Sequence, residues 1–307
     1  MPGTNLLATV ALGALLTLGP IGETLAADTQ GEMTMTTATT LAVPGATLYY
    51  EIWGSGPLLL VIPGGPQDAG IFADLARALA DRYTVVPYDP RGNSRSTFDG
   101  APTELDLDQQ ADDAAALIRH LGGGPAYVFG TSGGAQIGPN LAARYPDLVS
   151  TLVVHEPPTM MLLEDPSAAV AEANGLYEIY KTQGVDAAMG AFFGSNDLDA
   201  APPDFDMPPE AAETMGRVMG NFEYWLAHGL KPLSFYAPDV AALKAGKPKI
   251  VVGISRESEG QPIARMSGAL AEKLGVTPIT FPGDHITAFD GPNAAEFAAV
   301  LDGAIRK

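Results

Sequence analysis

At 307 residues, 46% of them hydrophobic and 17% charged, the chain is long enough for one large domain with a smaller insertion, and its composition excludes a disordered polymer. A formal net charge of -19 argues against nucleic acid and against a bare anionic membrane surface, since both would require Lys and Arg to neutralise phosphate. The absence of cysteine removes disulfides, thiolate zinc sites and cysteine nucleophiles together, and leaves the redox compartment unread.

The chain opens with an apolar run from Leu6 to Ile21 and then "ETLAADTQ" (23–30), whose small residues suit signal cleavage. The positive flank of a signal peptide is missing, because no Lys or Arg precedes Arg77. Residues 1–39 therefore read as a signal peptide or as a non-structural extension, with Met33 and Met35 as alternative starts of the folded part. Localisation stays open between cytoplasmic and secreted. The run is too short and too rich in Gly and Thr for a span, so no stable membrane insertion is expected.

From Thr40 onward, short apolar runs alternate with helix-length segments. "LYYEIWG" (48–54) alternates as a strand after the turn "VPG" (43–45), while "LLLVIPGG" (58–65) and "YTVVPYD" (83–89) are continuous apolar runs, as in strands covered on both faces. Between the last two, Ile71, Phe72, Leu75 and Leu79 recur at helical spacing. The rhythm repeats with a helix at 105–122, a strand in "AYVFGTS" (126–132), a helix at 134–146 and a strand in "VSTLVVHE" (149–156). Such alternation predicts an α/β fold with a mostly parallel central sheet and helices on both faces. The rhythm stops after "HEPP" (155–158). Residues 159–247 then read as a helical insertion, divided by the Pro- and Asp-rich "GSNDLDAAPPDFDMPPE" (194–210). Strands resume in "PKIVVGIS" (248–255) and "TPITFPG" (277–283), so 40–158 and 248–307 form the expected core. Asp197, Asp199, Asp204 and Asp206 lack the Gly and distal Glu of a calcium loop and read as solvated charge, so no metal is expected.

Gly130-Thr131-Ser132-Gly133-Gly134 fits G-x-S-x-G at a strand-to-helix turn. A turn this sharp holds the hydroxyl of Ser132 above the sheet edge, with the Gly133 N–H free to face an oxyanion. A second donor is expected from the loop after an earlier strand, where Gly64-Gly65 lets backbone approach a ligand; the N–H of Gly65 is assigned. Of four histidines, His285 alone follows the serine in a loop at a strand's carboxyl edge, and it is the expected base. His228 falls in the insertion, and His120 and His155 read as structural. The orienting acid is Glu156, ending the strand "VSTLVVHE", or Glu257 in "GISRESEG"; Glu156 is favoured, and Asp284 reads as loop structure.

With "PGGP" (63–66), "YDPRGNSRS" (88–96), "GTSGG" (130–134), "HEPP" (155–158) and "FPGDH" (281–285) in this order, the chain resembles the α/β-hydrolase superfamily over about 40–305. The resemblance implies a helical cap inserted after the strand ending at Glu156 and a serine mechanism without a cofactor. It also implies that Asp89 and Arg91 brace loops rather than react. Two departures stand out: Pro63, where many relatives carry His, and no plain aspartate after "IVVGIS".

The expected chemistry is acyl transfer from a small or medium apolar carboxylic ester, or a lactone, to water through an acyl-enzyme on Ser132. Met160, Met161, Phe192, Phe193, Phe222, Trp225, Phe235 and Tyr236 give the insertion apolar character; most are expected to pack it onto the core, and Phe192, Phe222 and Trp225 are candidates to touch a small-molecule substrate. Other activities known in the superfamily remain as alternatives: proline-releasing aminopeptidase, C–C hydrolase, or perhydrolase and cofactor-free haloperoxidase. A non-catalytic ligand-binding protein is the alternative of a different class. Oligomeric state is not read from the sequence.

Overall fold

The computed structural model describes residues 35–195 and 208–306. The N-terminal apolar run and Asp197, Asp199, Asp204 and Asp206 lie outside the described residues. The first strand, β1 (Met35–Val43), begins before the boundary suggested near Thr40 and forms an antiparallel hairpin with β2 (Ala46–Trp53). Gly45, at φ +78°, makes the reversal between them.

Beyond the hairpin lie β3 (Leu58–Ile62), β4 (Thr84–Pro87), the two-residue β5 (Thr97–Phe98), β6 (Ala126–Thr131), β7 (Val149–His155), β8 (Lys249–Ser255) and β9 (Ile279–Phe281). The sheet order is β1-β2-β4-β3-β6-β7-β8-β9, with β5 paired to β2, and every pairing from β4 to β9 along this path is parallel. The chain leaves β3 for β4 on one side and returns as β6 on the other. That reversal opens a crevice between the carboxyl ends of β3 and β6, where ligands of such sheets bind. In register, Ile62 lies opposite Gly130, so "PGGP" emerges beside Ser132.

The strands bury both faces by alternation. Leu60, Ile62, Val128, Leu152, Val154 and Val252 pack under α2 (Leu107–Leu121), α3 (Gly134–Arg144) and α10 (Pro262–Leu274). Their neighbours Leu59, Val61, Phe129, Val153 and Val251 face α1 (Ala73–Leu79) and α11 (Gly291–Arg306) through Leu75, Leu79, Phe297 and Leu301. Burying every position of a strand is why these runs lack polar alternation.

Between β7 and β8 the chain is helical: α4 (Ser167–Gln183), α5 (Val185–Ser195), α6 (Pro209–Gly220), α7 (Phe222–Tyr224), α8 (Leu230–Ser234) and α9 (Val240–Ala245). Trp225–Gly229 joins α7 to α8 as a π-helical turn. These helices share an apolar cluster around Leu176, Met189, Trp225, Leu226, Leu230 and Leu233, which also takes in Leu107 of α2. No helix among the described residues is long and apolar enough to cross a membrane.

Candidate active site

Ser132 occupies the turn between β6 and α3 at φ +50°, a left-handed conformation that costs a non-glycine residue about 1 kcal/mol or more. Its N–H donates to the His155 carbonyl at 3.0 Å, and its own carbonyl accepts the Ala135 N–H at 3.0 Å, which pins the strained residue from both sides. Glycine is required next to it: a Cβ on Gly134 would lie 2.0 Å from the Ile62 carbonyl oxygen. A Cβ on Gly133 would fall 2.7 Å from the Gly65 amide nitrogen, so the loops after β3 and β6 bring Gly65 and Gly133 close together across the crevice.

His285 follows β9 and is 8% exposed. Its Nε2 lies 3.2 Å from Ser132 Oγ, and its Nδ1 lies 2.8 Å from Glu156 Oε2. Glu156 is fully buried, also at positive φ (+48°), with its N–H on the Gly253 carbonyl at 3.0 Å. Its other oxygen, Oε1, accepts the Ser255 N–H at 2.9 Å. Burial alone would raise the Glu156 carboxyl, but the His285 hydrogen bond and the adjacent imidazoles outweigh it and hold it at about 2. The carboxylate is therefore ionised throughout the neutral range.

The structure thus brings Ser132, His285 and Glu156 into one line. Glu257 is exposed beside Arg256, 3.9 Å away, and does not face the imidazole. Asp284 accepts the Ile286 and Thr287 N–H groups at 2.7 and 2.6 Å, as loop structure should. His155 is buried among Phe129, Phe281, Phe289 and Phe297. Burial pushes its imidazole down to about 4, so it is neutral at pH 7. Ser255 Oγ donates to the Asp284 carbonyl at 3.1 Å, which assigns the 2.8 Å contact to His155 Nε2–H as donor and the 3.0 Å contact of Nδ1 to the Thr131 hydroxyl. This chain ties the end of β6 to the loop carrying His285. His228 sits apart, 3.7 Å from Glu104.

In the loop after β3, Gly64 and Gln67 close a turn: Gln67 N–H donates to the Gly64 carbonyl at 2.8 Å, and Gly64 N–H to Gln67 Oε1 at 2.9 Å. Among the described residues no protein acceptor meets the Gly65 N–H. Asn93 Nδ2 reaches the carbonyls of Gly65 and Gln67 at 2.8 and 2.9 Å. Asp89 and Arg91 brace the surroundings, Asp89 accepting from Ala69 N–H and Arg95 and Arg91 pairing with Asp113 at 2.7 Å. Asn93, Gln67 and Ser255 were not singled out by sequence. Asn93 lies in "DPRGNSRS", where the signal was present but shared with louder charged neighbours.

Above Ser132 and His285 opens a cavity of about 260 Å³. Met160, Leu176, Met189, Phe192, Phe222 and Trp225 supply walls, so the three aromatic candidates all reach it, whereas Met161, Phe235 and Tyr236 do not. Among the described residues its lining contains one carboxylate, Glu172, and no Lys or Arg.

Residues 57–182 match the family described as alpha/beta hydrolase fold. The chain is similar to the uncharacterized hydrolase YraK of Bacillus subtilis, 35% identical over 253 residues, covering 80% of this chain and 88% of that one. Among solved structures it resembles the enol-lactonase of Burkholderia xenovorans LB400, with TM-score 0.68 and 20% identity over 88% of this chain and all of that one. It also resembles a thermophilic esterase of Thermogutta terrifontis, with TM-score 0.65 and 20% identity over 89% and 98% of the two chains.

Proposed function

Because the chain belongs to the α/β-hydrolase family, we propose that it is a serine hydrolase cleaving a small or medium uncharged carboxylic ester, or a lactone, through an acyl-enzyme on Ser132. The observation that carries this reading is the unbroken relay from Glu156 Oε2 through His285 to Ser132 Oγ, at 2.8 and 3.2 Å. With Nδ1–H bonded to the carboxylate, the unprotonated Nε2 faces the serine hydroxyl and can accept its proton. Ser132 Oγ attacks the carbonyl carbon, and the tetrahedral oxygen takes up negative charge against the N–H groups of Gly65 and Gly133. His285 then gives its proton to the departing alkoxide, and water repeats the sequence on the acyl-enzyme. Glu156 stabilises the imidazolium without itself becoming protonated.

The helical insertion acts as a cap whose apolar walls bind the acyl group. The described lining holds Glu172 and no cationic side chain, which favours an uncharged substrate, since a carboxylate beside those residues would be desolvated and would meet Glu172.

The test is labelling by a fluorophosphonate, mapped by mass, together with hydrolysis of p-nitrophenyl esters of increasing acyl length. Labelling at Ser132 with turnover that Ser132→Ala abolishes is expected. A folded wild type that neither labels nor turns over any ester would sink the acyl-transfer reading.

A further inference from the structure

The loop that carries Gly65 is held from two directions. Asn93 grips it from the core, and the insertion grips it from above, through a residue 155 positions further along the chain. Asn221, 5% exposed at the end of α6, donates from Nδ2 to the Pro66 carbonyl and to Ser94 Oγ, each at 2.8 Å. Its Oδ1 accepts the Ser94 N–H at 2.7 Å. All three polar functions of this buried amide are thereby fixed, two on the "DPRGNSRS" turn and one on the glycine loop. Four residues before it, Arg217 Nε reaches Asp68 Oδ2 at 2.6 Å. Asp68 is fully buried and caps the turn that follows the same loop, accepting the Gly70 N–H at 2.9 Å.

The path from Asn221 to the Gly65 N–H is short and stiff. The Pro66 carbonyl and the Gln67 N–H belong to one planar peptide unit. Asn221 holds the carbonyl end of that unit, and its N–H end donates to the Gly64 carbonyl at 2.8 Å. The Gly64 carbonyl and the Gly65 N–H form the next planar unit in the path. Turning the first plane therefore turns the second, and with it the Gly65 N–H, which meets no protein acceptor among the described residues.

We propose that Asn221 is a positioning residue for the oxyanion site: the insertion sets the direction of the Gly65 N–H as well as forming cavity walls. The inference rests on the acyl-transfer reading above. Asn221 touches neither Ser132 nor the cavity, so its effect on turnover runs through the peptide planes.

Asn221→Asp is the informative substitution. It is isosteric and keeps an acceptor for the Ser94 N–H, but replaces the donor facing the Pro66 carbonyl with a carboxylate oxygen. Asn221→Ala removes all three contacts, and a thermal melt of each variant establishes that it is folded. Turnover of p-nitrophenyl butyrate is measured beside the affinities of two ligands of equal shape. One is a trifluoromethyl ketone, to whose carbonyl carbon Ser132 Oγ adds while its proton passes to His285, leaving an oxyanion in the site. The other is the corresponding alcohol, which fills the cavity without bonding to Ser132.

The expected result is a kcat lower by about 10- to 100-fold with KM changed less than about 2-fold, in line with losses from misplacing an oxyanion donor. The ketone should weaken by the same factor as kcat while the alcohol binds as in wild type. If kcat holds, or if ketone and alcohol weaken together, Asn221 only supports the fold and the proposal is overturned. Ser132→Ala separates the two levels of argument: full turnover in that variant would remove the acyl-transfer reading and the positioning role with it, whereas its loss beside an unaffected Asn221→Asp would remove the positioning role alone.

Discussion

Replacing Glu156 by Gln should cost far more than its near-isosteric size suggests. The two carboxylate oxygens have different partners: Oε1 accepts the Ser255 N–H at 2.9 Å, and Oε2 accepts from His285 Nδ1 at 2.8 Å. A glutamine has one acceptor, and the Ser255 N–H, a buried backbone donor, claims it. The amide NH2 is then left facing Nδ1, which must accept rather than donate. The imidazole switches tautomer, Nε2 carries the proton, and it points at Ser132 Oγ with nothing to receive. Wrong-tautomer variants of serine hydrolases lose about 10⁴ in kcat, equivalent to about 5 kcal/mol. Initial rates on p-nitrophenyl butyrate, with Glu257→Gln in parallel, provide the assay. Glu257→Gln, altering an exposed side chain, should stay within about 2-fold of wild type. A loss below about 10-fold for Glu156→Gln, or a larger loss for Glu257→Gln, would refute the assignment of the acid.

Stability should fall as the medium is acidified, in two windows. His155 is held near 4 against an ordinary 6.5, so between these values the unfolded chain binds the proton and the folded one does not; about 3 kcal/mol is lost as pH falls from 6.5 to 4, and urea midpoints across that range in wild type and His155→Asn should show the drop only in the former. Glu156, depressed from 4.5 to about 2, contributes stability that is complete above pH 4.5 and lost as pH falls toward 2, so Glu156→Gln should flatten the acid limb of the same titration in that lower window. Gly134→Ala, whose Cβ would meet the Ile62 carbonyl at 2.0 Å, should destabilise the protein by about 3 kcal/mol in chemical denaturation. Leu176→Trp, which fills part of the cavity wall, should shift the preferred p-nitrophenyl ester to a shorter acyl chain, while Ser132 keeps its reactivity toward a small fluorophosphonate.

What could be read before the structure was whatever repeats or punctuates locally. The parallel core followed from runs such as "LLLVI" and "TLVVH", whose unbroken hydrophobicity reflects burial on both faces. The serine turn was visible because its geometry demands glycine at fixed offsets. The acid was harder, since Glu156 and Glu257 both closely follow strands of the same sheet; only the left-handed backbone at Glu156 and the Ser255 N–H aim one carboxylate at the imidazole. The grip of Asn221 on Pro66 was invisible, because a buried amide 155 residues away leaves no periodicity and no motif. The start of the hairpin at Met35 was similarly masked, since "MTTATTLAV" lacks the apolar density of the strands behind it.

Three non-glycine residues among those described have positive φ: Ser94 at +48°, Ser132 at +50° and Glu156 at +48°. Each such residue costs about 1 to 3 kcal/mol unless its surroundings over-determine it. Here each has its own backbone N–H committed to a partner, the Asn221 amide for Ser94, the His155 carbonyl for Ser132 and the Gly253 carbonyl for Glu156. Two of the three aim the side chains at either end of the imidazole relay. The third aims none; Ser94 directs its N–H and hydroxyl at Asn221, and so anchors the amide that holds the Pro66 peptide. Strain retained at Ser94 is unexplained if the turn serves the core alone, because a glycine there would relieve it at no contact cost except the hydroxyl to Asn221. It is explained if the turn serves the grip of the insertion on the glycine loop, which would make all three strained residues supports of the crevice around Ser132.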